Sequence, residues 1–128
     1  MKKNSNFLEK RQKLAELTAD FRKLRERKAN EAKDVNESLY WLSRTINSFI
    51  VDYYKQQTGA KEFNTFNYWR EQGKIILKGE KGFPVWGRPL NKKDEEKQEG
   101  EEPSNENINY YPMCYLFHEN QTKEIKEG

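Results

Sequence analysis

The chain reads as one α+β domain, with helices first and a small antiparallel sheet after them. Apolar residues recur at helical spacing from Leu14 to Tyr54, whereas β-branched and aromatic runs bounded by Gly, Pro and Asn dominate from Lys74 onwards. At 128 residues there is room for one domain and little more.

Leu14, Leu17, Phe21 and Leu24 make one stripe, Phe7 lies a heptad earlier, and Asn4 or Ser5 can cap the start. A helix is predicted over 6–29, its outer face basic through Lys10, Arg11, Lys13, Arg22, Lys23 and Arg25. So thin a stripe needs a partner, either the rest of the domain or another molecule. Val35, Leu39, Leu42, Ile46, Phe49 and Tyr53 form a second stripe, capped at Asp34 or Asn36 and closed by Gly59, which predicts one long helix to residue 57. Tyr40 and Trp41 read as packing residues. Asn64 can cap a short helix, Thr65–Gln72, ended by Gly73.

Lys74–Leu77 is a strand, Lys78-Gly79-Glu80-Lys81-Gly82 has the glycines of a tight hairpin, and Phe83–Arg88 is the returning strand. The insert 91–109 has one apolar residue, Ile108, and is expected to be a disordered acidic loop. Tyr110–His118 is the last strand, and a polar tail follows that could start a helix. The parts are therefore 6–57, helical, and 63–122, helix, hairpin and strand, in a single unit spanning 1–128.

Charge is unevenly spread. Residues 1–34 carry 11 cations and 6 anions, while residues 91–106 carry 3 and 7. A basic body with an acidic insert points to a polyanionic partner. The insert reads as a solubilising loop, and alternatively as a strip that lies over the basic surface and competes with the polyanion.

Several classes are excluded. No run of roughly 18 apolar residues exists, so no membrane span is expected. The start has lysines but no apolar core of a secretion signal. The lone cysteine, Cys114, suits a reducing cytoplasm. One histidine, His118, with no metal-ligand spacing, no nucleophile–base pair and no phosphate-binding GxxxxGK motif argue against an enzyme, a metal, a cofactor or a small-molecule substrate.

What remains is the aromatic and basic mixture of Thr65–Arg88. Aromatic faces stack on unpaired bases and cations follow phosphates, which suits a single-stranded nucleic acid. Lys74, Lys78, Lys81, Arg70 and Arg88 are the expected phosphate contacts. Trp86, with Tyr111 or Tyr115, is the expected stacking residue. The alternative is that Trp86 packs under the second helix and the lysines are ordinary solvated surface. A rival function is a protein-interaction module that docks on a partner, or dimerises, through helix 6–29.

Thr65-Phe66, Gly73, Ile76-Leu77-Lys78-Gly79-Glu80-Lys81-Gly82, Val85 and Tyr115–Thr122 (YLFHENQT) together resemble the N-terminal domain of the ArdC antirestriction proteins. The resemblance covers roughly residues 58–122. His118 stands where that family usually has Asn, and Glu119 where it usually has an apolar residue. The resemblance implies single-stranded DNA binding in the setting of a bacterial mobile element. It also implies a stand-alone or truncated module without the metalloprotease-like domain of full-length ArdC proteins.

Overall fold

The computed structural model of the chain describes residues 2–88, 102–103 and 108–125. In order these are α1 (Lys2–Asn30), α2 (Val35–Ser43), α3 (Ile46–Thr58), β1 (Phe63–Asn64), α4 (Phe66–Glu71), β2 (Lys74–Ile76), β3 (Phe83–Trp86), β4 (Met113–His118) and β5 (Thr122–Glu124). Short 3₁₀ turns at Ile108–Tyr110 and Glu119–Gln121 flank β4. The architecture is α+β, as expected. Most of the acidic segment expected to be disordered lies outside the described residues.

The first stripe does what its spacing predicts. Leu14 and Leu17 are buried, and the Phe21 ring stacks on Phe49 at 5.6 Å between centroids. Phe7, expected on the same line, is exposed. The middle of the face that was a candidate for docking or dimerisation is thus taken up by the chain's own core.

The second predicted helix is two. Arg44 is extended (φ −71°, ψ 132°), its N–H reaching the Trp41 carbonyl, and Thr45 restarts the helix by accepting from the Ser48 N–H at 3.1 Å. A hydroxyl that caps locally offers the backbone an alternative to continuing the helix, and here it wins. The break divides the stripe. Ile46, Phe49, Ile50 and Tyr54 of α3 enter the core, whereas α2 buries none of its residues. It is held instead by Trp41, half-buried and stacked on Phe49 at 6.2 Å. Gly59 ends α3 at φ +74°, a conformation costly for other residues.

Three antiparallel strands order as β1-β4-β3, with Phe63 opposite His118 and Val85 opposite Cys114. β3 is an edge, and α3 closes it. Asn47 accepts from the Trp86 N–H (3.0 Å) and donates to the Trp86 carbonyl (2.8 Å), while the Tyr54 hydroxyl donates to the Pro84 carbonyl (2.7 Å). Pro84 shares the outward orientation of Trp86, so its missing N–H removes no ladder bond.

The expected hairpin between β2 and β3 does not form. β2 pairs with β5, Lys74 opposite Glu124 and Ile76 opposite Thr122, and the Leu77 N–H extends the ladder to the Gln121 carbonyl. The tail expected to be polar coil or a nascent helix therefore supplies a strand. A turn does form at Lys78-Gly79, but the strands on either side of it belong to separate ladders. Among the described residues no helix is long and apolar enough to cross a membrane.

Candidate nucleic-acid interface

Trp86, the expected stacking residue, is only 4% exposed, so no base can lie on it. Its indole N–H donates to the Thr18 hydroxyl at 2.7 Å, and that hydroxyl donates in turn to the Leu14 carbonyl. Arg11 lies over the ring at 5.2 Å and Tyr111 meets it edge-on at 6.5 Å. Tyr111 is equally buried. Both leave the list of base contacts for one reason: α1 covers this end of the sheet, so the face predicted to be open is a second packing face.

The remaining candidates separate by position. Arg88 is exposed but sits beyond the far end of β3, five residues and about 17 Å of extended chain from Phe83. Tyr115 keeps a half-buried ring with the Lys10 ammonium over it at 5.8 Å. Gly82 lies directly against it, since a Cβ there would meet the Tyr115 Cβ at 2.6 Å. Arg70, Lys78 and Lys81 are exposed, and half-buried Lys74 lies over the Trp69 ring at 5.5 Å. Lys74, Lys78 and Lys81 therefore follow one another along β2 and its turn, with Arg70 on the adjoining helix.

That helix, α4, carries two exposed rings, Phe66 and Tyr68, that are not among the predicted contacts. Thr65, rather than the expected Asn64, is its cap, accepting from the Tyr68 N–H at 3.1 Å. Trp69 points inward, where its indole N–H donates to the Phe117 carbonyl at 2.8 Å. Phe66 and Arg70, four residues apart, then share the outer face, and Phe66 is 46% exposed. Tyr68 is exposed too, its hydroxyl donating to Glu62 at 3.1 Å. That hydrogen bond, with the carboxylate's charge, pushes the Tyr68 phenol above its usual range. The spacing was the signal available in the sequence: four residues apart, Phe66 and Arg70 stand side by side on α4 whichever residue caps it.

The approach to α4 is held by Glu119. Its carboxylate accepts from the Lys61 N–H (2.8 Å) and the Glu62 N–H (3.0 Å). Burial pushes its acidity the other way, but these backbone donors and the nearby His118 prevail and hold the carboxyl below the usual range. His118 itself accepts from the Asn120 N–H and closes the turn after β4.

A small α+β module with cations strung beside exposed rings on α4 is the class these features define. Residues 43–117 match the model of the N-terminal domain of anti-restriction factor ArdC, and the chain belongs to that family. The match starts at the end of α2 and stops within β4, leaving α1 and Gln121-Thr122 outside it. Comparison with curated proteins and with solved structures gives no match.

Proposed function

We propose that the chain binds single-stranded DNA without sequence preference, in the antirestriction setting of its family, and that it does so as a binding module rather than an enzyme. The observation that carries this reading is the outer face of α4, where Phe66 and Arg70 stand together next to Lys74 and the Lys78–Lys81 turn. An exposed ring offers a stacking platform for any base, and the cations neutralise neighbouring phosphates. Tyr68, steadied by Glu62, adds a second ring on the same short helix. Trp86 and Tyr111, both buried, take no part in it.

The test is titration of fluorescent oligo-dT against the full chain at low and moderate salt. Binding that weakens with salt and with Phe66→Ala supports the reading. No binding at low salt, or binding indifferent to Phe66 and Arg70, sinks it.

One observation favours the protein-interaction alternative, though not through α1. Val35, Leu39 and Leu42 form an outward apolar line on α2, with Val35 73% exposed. Concentration-dependent association abolished by Leu39→Glu, without oligo-dT binding, would replace the first reading with the second.

A further inference from the structure

The acidic insert touches the basic helix. Glu102 places one carboxylate oxygen 2.8 Å from the Arg25 guanidinium, and its other oxygen accepts from the Ile46 N–H at 2.7 Å. The neighbouring Pro103 carbonyl accepts from Arg22 at 2.7 Å. The same Arg25 nitrogen, Nη1, also donates to the Arg44 carbonyl at 2.8 Å. The Arg25 and Glu102 side chains are 15% and 18% exposed, in a cavity of about 340 Å³ that Arg44, Thr45, Asn47 and Gly87 also line.

We propose that Arg25 and the first turn of α3, with Arg22 beside them on α1, form a phosphate-binding site that the Glu102 carboxylate occupies. The Thr45 hydroxyl caps the Ser48 N–H and leaves the buried Ile46 N–H to an acceptor from outside the helix, here supplied from 56 positions away. The Arg25 guanidinium, from a different helix, meets the carboxylate beside that N–H, and Arg22, three residues earlier on α1, holds the adjoining Pro103 carbonyl. A carboxylate on a backbone N–H and an arginine uses the donors that a phosphate oxygen would use. Arg22 and Arg25 belong to the basic face of α1, so seating Glu102 and Pro103 withdraws both from any polyanion. The insert, with 7 acidic residues in 91–106, is then an internal competitor. For a nucleic-acid phosphate this rests on the single-strand reading above; for free phosphate it does not.

The experiment uses the full chain as wild type, Glu102→Gln and Glu102→Ala. Thermal midpoints are read in inorganic phosphate and in chloride at matched ionic strength, and oligo-dT affinity is read against salt. The variants should gain about 3 °C or more in phosphate beyond the smaller gain of the wild type, whose Glu102 competes. Glu102→Gln should also bind oligo-dT about tenfold more tightly, its salt slope steepening by about 1.4 for two further phosphates. In the wild type the Ile46 amide resonance should move as phosphate, but not chloride, is raised, a readout that needs no variant to fold. Phosphate gain with no oligo-dT binding by any form keeps the site, assigns it to free phosphate and removes the single-strand reading. A still Ile46 resonance with no phosphate gain in either variant overturns the proposal, whatever the oligo-dT result.

Discussion

The side-chain amide of Gln121 donates to the Lys81 carbonyl at 2.9 Å while its oxygen accepts from the His118 N–H at 2.9 Å. Gln121 is buried, and its own carbonyl receives the Leu77 N–H. One residue thus joins the end of β4, the start of the β2–β5 ladder and the lysine turn. Removing its amide leaves two backbone groups without partners in a sheltered place. Gln121→Ala should destabilise the domain by about 2 kcal/mol in urea denaturation, and should weaken oligo-dT binding by loosening Lys78 and Lys81.

Trp86 is a core residue, and its variants should behave as core variants. Trp86→Ala is expected to lose about 3–5 kcal/mol of stability. Trp86→Phe should lose less and keep oligo-dT affinity within error. A Trp86→Phe and Thr18→Val double-mutant cycle should give a coupling of about 1 kcal/mol for the indole–hydroxyl bond. A folded Trp86→Phe protein that no longer binds oligo-dT would contradict this assignment.

Phe66→Ala should reduce oligo-dT affinity by about 1–3 kcal/mol. Arg70→Ala should lower the salt slope by about 0.7, the contribution of one phosphate. Neither should change stability by more than about 0.5 kcal/mol, because both side chains are on the surface.

Glu119 makes stability depend on acid. Its carboxyl titrates below the ordinary 4.5 in the folded protein. The stabilisation is therefore complete above the unfolded value and lost as pH falls through the folded one, where the native state must take up the proton it had resisted. Denaturant midpoints measured from neutral pH into acid should converge for wild type and Glu119→Gln below the ordinary carboxylate range. Parallel curves would show that the backbone donors of Lys61 and Glu62 contribute nothing of this kind.

At the alkaline end, burial and then the Tyr53 charge push Tyr54 up to about 12. Stability contributed by its neutral form is present below pH 10 and lost between there and about 12 as the unfolded phenol ionises first. Tyr54→Phe should flatten that alkaline loss of stability, at the cost of the bond to the Pro84 carbonyl.

Much of this was legible in the residues. Helix spacing gave α1, Gly59 and Gly73 gave two ends, and the short β-branched and aromatic runs gave β2, β3 and β4. Two features were not. The stripe from Val35 to Tyr53 runs through Thr45 without a change of period, so periodicity could not reveal that three of its members would face water. Turn chemistry at Lys78–Gly82 describes the bend and is silent about which distant segment each flanking strand will pair with. The site suffered from the same limit. An aromatic in a strand carries no mark of whether a helix from elsewhere in the chain will cover it, and α1 covers Trp86.

That cover has a practical meaning. A fragment trimmed to residues 43–117 would discard α1, and with it Leu14, Thr18 and Arg11. The indole of Trp86 would lose its Thr18 partner and lie open to water, and the core cluster around Ile50 would lose Leu14. The boundary by which kinship is recognised is not the boundary at which this polypeptide can stand, and material prepared to the shorter limit should clump rather than report on DNA.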